Sequence, residues 1–267
     1  MDMKEFVRVI QIPTADGQRL SEYGLFHCIF FALTIAAMVF AVIYTLKKGE
    51  KNLYFLYVLS SVLMWVGELY KQFCYSFITG TFHYEWYFFP WQFCSTPLYT
   101  FLFCAIAKKG KLYDAVSAYN ATYALFAGTC VMLYPSTLVS NYGISFQSLL
   151  HHALMMITGV SALVLYAKKF SVKLFFESFI VYLILFAVGI ILNFILPPLT
   201  GQEVNMYFVS KTATKGNQFG IFRDAYPYPI FLIVYTLLFT EFAALIAHVA
   251  YLVAKKKAAK RLAASSH

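Results

Sequence analysis

The chain has 267 residues, of which 61% are hydrophobic and 12% are charged, and its formal net charge is +9. A soluble domain carries about 25% charged residues, so a chain with half that density cannot cover a folded surface with polar groups. The composition therefore excludes a soluble domain, a disordered chain, a collagen-like repeat and a coiled coil, and it indicates a polytopic membrane protein.

Seven apolar runs are long enough to cross the roughly 30 Å hydrocarbon core of a bilayer as helices. They cover residues 24–46, 53–79, 89–107, 112–134, 147–167, 172–196 and 228–254. Alternation with a period of two is weak, which favours helices over an outer-membrane barrel. The sequence thus predicts an all-α membrane bundle of seven transmembrane helices at 24–254. An external segment at 1–23 precedes it, and a basic cytoplasmic tail at 255–267 follows it.

The positions of the basic residues predict how the bundle is oriented. Fourteen of the 21 Lys and Arg residues lie in the C-terminal tail or beside the links after spans 1, 3 and 5, Lys47, Lys108 and Lys169 among them. Six, including Lys4 and Lys215, lie on the opposite side. Since cytoplasmic loops are enriched in Lys and Arg, we expect an external N-terminus and a cytoplasmic C-terminus. The net charge then reflects topology and contact with lipid head groups, and it indicates no nucleic-acid partner.

Charged residues inside a span are costly, and the second predicted span contains two of them. Glu68 is followed three residues later by Lys71 and four residues later by Gln72, so all three lie on neighbouring parts of one helix face. One interpretation is an internal ion pair that stabilises helix packing. The other is that these polar side chains line a wet cavity open to the outer leaflet.

The third predicted span begins with two prolines, Pro90 and Pro97, on either side of Cys94. Cys94 therefore lies near the positive N-terminal end of a helix, a position that favours thiolate over thiol. Pro97 lacks the amide that would bond the Phe93 carbonyl, which frees that carbonyl for another partner. A buried structural cysteine is the alternative interpretation.

A histidine pair, His151 and His152, follows the start of the fifth predicted span, at the depth and on the side expected for Cys94. Cysteine and histidine at one depth can supply the nucleophile and general base of acyl transfer through a thioester. Of the two histidines, we favour His151 because it lies nearer the surface. A neutral histidine that bonds another helix is the alternative for each.

The segment 197–227, predicted to be external, is too long for a simple connection in a compact bundle. It contains polar side chains, among them Asn205, Tyr207 and Arg223. We expect it to cover a cavity, with its basic residues available to a phosphate head group.

Three short motifs resemble the YwaF-type integral membrane proteins of bacteria: Pro90-Trp91-Gln92-Phe93-Cys94, His151-His152 and Asn205-Met206-Tyr207. That family also includes an animal multi-pass protein regarded as a phospholipid acyltransferase for ether phospholipids. The resemblance implies that Cys94 accepts the acyl group and that His151 or His152 is its base. Two features depart from the family pattern: Gln92 replaces a histidine, and the order Asn-Met-Tyr replaces Asn-Tyr-Met.

The sequence therefore predicts a multi-pass plasma-membrane protein that is a lipid acyltransferase or acyl hydrolase. Cys94 and His151 or His152 are the predicted catalytic residues, and phospholipid or lysophospholipid is the predicted partner. The predicted supporting or substrate-binding residues are Gln92, Glu68, Lys71, Gln72, Asn205 and Tyr207. We expect no metal and no cofactor, since the five cysteines lack the spacing of a zinc site and no phosphate-binding glycine loop is present.

Two other functions fit the same sequence. A small-molecule transporter or a ligand-binding receptor would use Glu68, Lys71 and Glu241 as a polar site in the middle of the membrane. The absence of an inverted repeat counts against a transporter. A non-catalytic assembly subunit is the third possibility.

Overall fold

The computed structural model describes residues 1–107, 109–214, 216 and 219–265. Within these residues the chain is helical and contains no strand. The helices are α1 (Met3–Ile10), α2 (Leu25–Lys48), α3 (Glu50–Ser76), α4 (Pro97–Ile106), α5 (Lys111–Tyr119), α6 (Leu125–Leu133), α7 (Tyr142–Tyr166), α8 (Val172–Thr200), α9 (Gly220–Ala225) and α10 (Tyr228–Ser265). Lys108 and Lys215, two of the cations used to predict orientation, lie outside the described residues, as do the last two residues of the tail.

Six helical stretches of the described chain are long and apolar enough to cross a membrane. They are α2, α3, α7, α8, α10 and the continuous stretch Lys111–Leu133, in which α5 and α6 are joined by a π-helical turn at Asn120–Ala124. The all-helical membrane architecture predicted from the sequence is thus confirmed. The predicted span at 89–107 has a different form: a short 3₁₀ turn, Phe93–Ser95, followed by the ten-residue helix α4.

Local sequence explains where several helices begin and end. Asn141 caps α7 by accepting a hydrogen bond from the Ile144 amide, and Ser171 caps α8 in the same way through Leu174. Helix α8 ends at Thr200, because the next residue, Gly201, has a left-handed conformation (φ 69°) that terminates the helix. Its length of 29 residues corresponds to about 44 Å at 1.5 Å per residue, more than the thickness of the hydrocarbon core.

Side-chain contacts define one end of the bundle, the lysine-rich end. Lys169 Nζ lies 3.4 Å from Glu50 Oε1, which joins the end of α7 to the start of α3. Tyr166 Oη donates a 2.6 Å hydrogen bond to Asp114 Oδ1, which brings the start of α5 to the same end.

The other end, the N-terminal end, is joined by residues that precede α2. The amides of Tyr142 and Gly143 at the start of α7 donate to the carbonyls of Ile12 and Gln11, at 3.0 and 2.8 Å. Tyr70 Oη, near the end of α3, donates to the Ile10 carbonyl at 3.0 Å. The predicted external segment 1–23 is therefore packed against the bundle and partly helical.

Helix α7 lies in the middle of the bundle, in contact with α2, α3 and α6. Hydrogen bonds between neighbouring helices satisfy polar groups in this interior. Ser60 Oγ and Thr158 Oγ1 are 2.7 Å apart, and Thr100 Oγ1 donates to Asn120 Oδ1 at 2.6 Å. Because lipid cannot replace such bonds, they favour one register of the helices.

Candidate functional site

Cys94 lies in the 3₁₀ turn that precedes α4. Pro97 occupies the first turn of that helix, where its missing amide costs nothing. The Phe93 carbonyl, left without the amide of residue 97, accepts a 2.8 Å hydrogen bond from the Thr96 hydroxyl. The turn is also fixed by Tyr99, whose hydroxyl donates to the Pro90 carbonyl at 3.1 Å. The sequence prediction of a carbonyl freed by Pro97 for another partner is thus confirmed.

The two histidines lie on α7, and both are buried. His151 Nε2 is 2.9 Å from the Cys94 carbonyl oxygen, whereas His152 Nδ1 is 2.7 Å from the carbonyl of Ser148 on its own helix. A carbonyl only accepts, so each of these nitrogens carries a proton. In neutral His152 the lone pair is therefore on Nε2, which is buried and has no hydrogen-bond partner in the described chain.

These groups line one cavity of about 500 Å³, which we call the reactive cavity. Cys94, His151 and His152 line it together with Gln92 and Lys71. Its other lining residues are Arg19, Tyr75, Tyr87, Phe88, Phe89, Ser95, Val131, Ser136, Leu138, Val139, Ser140, Ile144, Gln147, Ser148, Phe208 and Gly216. Residues as far apart in the sequence as Arg19 and Gly216 therefore meet around one thiol and two imidazoles.

The reactive cavity has an excess of positive charge. Arg19 and Lys71 line it, and no described Asp or Glu does. Lys71 Nζ is 2.7 Å from Glu68 Oε2, which neutralises part of its charge. Arg19 forms no salt bridge with a described acid and donates instead to carbonyls, including that of Val139 at 2.6 and 3.0 Å. An anionic group is consequently the ligand that the cavity favours.

The predicted polar face of α3 forms an internal ion pair, and Lys71 from this face also lines the reactive cavity. Glu68 is buried, and its carboxylate binds the Lys71 ammonium and accepts a 2.6 Å hydrogen bond from Gln72 Nε2. Gln72 also donates to the Phe88 carbonyl at 2.7 Å. Glu68 and Gln72 thus hold Lys71 in position, and of the three only Lys71 lines the cavity.

Asn205 and Tyr207 do not line the cavity. The Asn205 side chain donates to the Gly216 carbonyl at 3.1 Å and accepts from the Ser210 amide at 2.9 Å, so it organises the loop after α8. Tyr207 is fully buried in the core. Its own backbone and that of Phe208 are left-handed, at φ 58° and 57°, a conformation costing about 1–2 kcal/mol per residue.

Neighbouring helices compensate for that strained turn. Asn193 of α8 bonds both the amide and the carbonyl of Met206, at 2.6 and 3.0 Å, and Tyr235 of α10 donates to the Tyr207 carbonyl at 2.9 Å. Gln92 Nε2 donates to the Asn205 carbonyl at 2.7 Å. Phe208, in this turn, and Gly216 line the reactive cavity, and the covering role expected of the loop stays a prediction.

Arg19, Tyr87 and Gln147 line the cavity but were not recognised in the sequence as site residues. Arg19 counted there only as one external cation, because no spacing rule links residue 19 to residue 94. Tyr87 lies in the segment between α3 and α4, outside the long helices. Burial, assisted by the Glu203 carboxylate, raises its pKa, so its hydroxyl is a neutral donor.

The described residues give less support to a metal site or to a transport path. No group of three or more His, Cys, Asp or Glu side chains among them could hold a metal ion. Glu241 and His248 line a separate groove of about 770 Å³ beside α8 and α10, which shares no lining residue with the reactive cavity. The shared polar path through Glu68 and Glu241 that a transporter would use is therefore not formed by these side chains.

Residues 22–248 match the TMEM164 family, and the chain belongs to this family of membrane proteins. No curated protein and no solved structure matches the chain.

Proposed function

We propose that this member of the TMEM164 family is an integral-membrane lipid acyltransferase or acyl hydrolase that acts through a thioester on Cys94. The observation that carries the proposal is the shared cavity. One thiol and two buried imidazoles line it, and His151 holds the backbone carbonyl of Cys94. The resemblance of the cysteine, histidine and Asn-Met-Tyr motifs to the YwaF-type proteins supports the same chemistry.

The first half-reaction transfers the acyl group to the protein. A histidine imidazole takes the Cys94 thiol proton, and the sulfur bonds to the carbonyl carbon of a lipid ester. The bond from that carbon to the lysolipid oxygen then breaks, and the imidazolium returns the proton to this oxygen. The products are a Cys94 thioester and a lysophospholipid.

The second half-reaction releases the acyl group. The same imidazole takes a proton from a lysophospholipid hydroxyl, or from water, as its oxygen bonds to the thioester carbon. The carbon–sulfur bond breaks, and the thiolate recovers the proton. A lipid acceptor makes the protein a transferase, whereas water makes it a hydrolase.

His152 is the better candidate for the base, although its neighbour lies nearer the surface. Its Nε2 has the free lone pair and no hydrogen-bond partner among the described residues, and its proton is held on Nδ1 by the Ser148 carbonyl. His151 Nε2 instead donates to the Cys94 carbonyl. His151 is therefore a positioning residue that fixes the turn bearing the nucleophile.

The two cations identify the class of substrate. Arg19 and Lys71 line the cavity and no described acid does, which suits the phosphate of a phospholipid or lysophospholipid. Gln92 and the loop containing Asn205 and Tyr207 support the cavity wall. Glu68 and Gln72 support Lys71.

Residues 89–107 are the seventh crossing of the membrane in this proposal. Helix α3 runs from the lysine-rich end to the N-terminal end, and α5 begins again at the lysine-rich end, so the intervening chain returns through the bundle. The cytoplasm lies at the lysine-rich end, and the reactive cavity faces the outer leaflet of the plasma membrane. One-sided labelling of a cysteine introduced at Lys109 tests this orientation, and external labelling would contradict it.

Intact-protein mass spectrometry tests the chemistry. The purified full chain in phosphatidylcholine vesicles is expected to gain one acyl group that hydroxylamine removes. Cys94→Ser should lower the thioester by at least about 10³-fold, because the nucleophile is lost. Cys28→Ser is the matched control, since this cysteine is exposed on α2 and lies outside the cavity.

Two results would contradict the proposal. One is an acyl adduct that persists in Cys94→Ser, and the other is a wild-type protein that forms no adduct while lipid remodelling continues. Equal loss in the Cys28→Ser control would show that the assay reports folding instead of chemistry.

A further inference from the structure

A second cavity of about 420 Å³ adjoins the reactive cavity along α7, because both are lined by Gln147 and His151. Helices α3 and α7 form its walls, and residues before α2 cover one end. Its lining residues are Ile10, Ile12, Leu63, Met64, Val66, Gly67, Tyr70, Gly143, Phe146, Gln147, Leu150 and His151. We call it the apolar groove, because only Tyr70, Gln147 and His151 of these have polar side chains.

The apolar groove runs from the lipid-facing surface to the histidine site. Val66 and Phe146 line it and are 60% and 51% exposed, as expected of apolar side chains that face hydrocarbon. Met64 and His151, which also line it, are 1% and 6% exposed. The groove therefore opens to lipid at one end and ends beside a buried imidazole at the other.

Gln147 and His151 line both cavities, so these two side chains separate the groove from the cysteine site. Gly67 keeps space open at this boundary. A Cβ atom added there would lie 3.2 Å from Gln147 Cγ, and no backbone approaches as closely. A glycine inside a helix costs about 1 kcal/mol relative to alanine, so Gly67 keeps this space open at the expense of helix stability.

We propose that the apolar groove binds one acyl chain of a glycerophospholipid whose phosphate lies near Arg19 and Lys71. The inference rests on the proposed function, because the ester between chain and head group would lie at the Gln147–His151 boundary beside Cys94. A molecule that fills both cavities needs an apolar chain and an anionic group a few bonds apart. A diacyl or lysophospholipid has this structure.

The opening to lipid determines how the substrate enters. Its chain slides between α3 and α7 from the bilayer and stays in an apolar environment throughout. Tyr70 adds no competing polarity, because its hydroxyl already donates to the Ile10 carbonyl. Only the head group has to leave the interface and reach the cations.

Photo-crosslinking in vesicles tests the proposal without relying on turnover. The probe is phosphatidylcholine with a diazirine in one acyl chain, diluted into unlabelled phosphatidylcholine. The full-length Cys94→Ala variant is used, because it cannot form the thioester. We expect cross-linked peptides to be concentrated at Leu63–Val66 and Phe146–Leu150, above the yield at other lipid-exposed faces.

A matched pair of substitutions refines this experiment. Val66→Trp fills the mouth of the groove, and Val62→Trp changes the same residue type one turn earlier, at 56% exposure, without lining the groove. Displacing about two methylenes of the chain should lower groove cross-linking about tenfold in Val66→Trp, which corresponds to about 1.4 kcal/mol. Val62→Trp should leave it unchanged.

The outcomes separate the groove from the chemistry. Cross-links spread evenly over exposed helix faces, or lowered equally by both tryptophans, overturn the acyl-chain site even if wild-type protein forms the thioester. Cross-links concentrated in the groove support the site even if no thioester forms on Cys94 in wild-type protein. In that case the proposed chemistry falls and the lipid site stands.

Discussion

Helices α2 and α7 have nearly the same length, 24 and 25 residues, but opposite surroundings. In its most apolar stretch, 17% of α2 is buried inside the protein, against 61% of α7. The more hydrophobic helix is α2, and the more polar helix is in the interior. Lipid tails are as apolar as leucine, so no hydrophobic force draws α2 inward, whereas interhelical hydrogen bonds and close packing favour α7 there.

This difference shows where function can reside in the bundle. A polar side chain that faces lipid has only carbonyls of its own helix as partners, whereas one in the interior can also bond neighbouring helices and is held in a defined geometry. Both histidines of the proposed site lie on α7. Substitutions on α7 should therefore change chemistry and stability, and matched substitutions on α2 should change little.

The largest effect is expected at His152. Because its Nε2 is the proposed base, His152→Ala should slow acylation of Cys94 by about 10²–10⁴-fold, as measured by mass spectrometry over time. His27→Ala on α2 is the control. His27 is also buried and its Nε2 is 3.0 Å from the Met132 carbonyl, but it lies outside the reactive cavity.

An unchanged rate of Cys94 acylation in His152→Ala would show that His152 is not the base and would point to His151. If His152→Ala and His27→Ala lose the acylation rate equally, after correction for the amount of folded protein, the distinction between α7 and α2 would be contradicted.

A smaller effect, on stability, is expected where α7 packs closely against the π-helical turn. A Cβ atom at Gly159 would lie 2.9 Å from Leu125 Cβ and 3.0 Å from the Asn120 carbonyl oxygen. Gly159→Leu should destabilise the protein by about 1–3 kcal/mol through overpacking, measured as a lower thermal midpoint in vesicles or detergent. Ala36→Leu, on an exposed face of α2, should leave the midpoint unchanged. A tolerated Gly159→Leu would show that α7 is not tightly packed there.

The smallest effect is expected from a single interhelical hydrogen bond. Thr158→Val removes the 2.7 Å contact between Thr158 of α7 and Ser60 of α3, which should cost about 0.6 kcal/mol in a membrane. On α2, Thr34 donates to Phe30 on its own helix, so Thr34→Val should cost less. The double variant Thr158→Val with Ser60→Ala completes the thermodynamic cycle. Equal costs for the two threonines would contradict the comparison.

Features that depend on neighbouring residues were predictable from the sequence. Apolar runs located the six long helices, because hydropathy depends only on nearby side chains. The spacing of Glu68, Lys71 and Gln72 predicted their mutual contacts for the same reason. The effect of Pro97 on the Phe93 carbonyl was also local, and a hydroxyl indeed replaces the missing amide.

The form of the segment containing Cys94 was not predictable in detail. The apolar run at 89–107 allows a helix that starts at Pro90 or only after Pro97, and in the structure α4 begins at Pro97, in the first turn where proline is tolerated. The preceding residues adopt a turn because Tyr99, Thr96 and His151 provide partners for carbonyls that a continuous helix would have satisfied itself. Thr96 and Tyr99 belong to the run itself, but His151 comes from the packing of α7 and is not encoded in the run.

By itself the sequence determined that this protein is a helical membrane bundle, with a cysteine and two histidines near one end. Only the tertiary structure decided that Arg19 shares a cavity with them, that Asn205 organises a loop instead of lining the site, and that an apolar groove reaches His151. The physical reason is that the position of a span in the sequence depends on the free energy of transferring adjacent side chains into lipid. A cavity depends on which helix faces approach each other, and that is set by many weak contacts distant in the sequence.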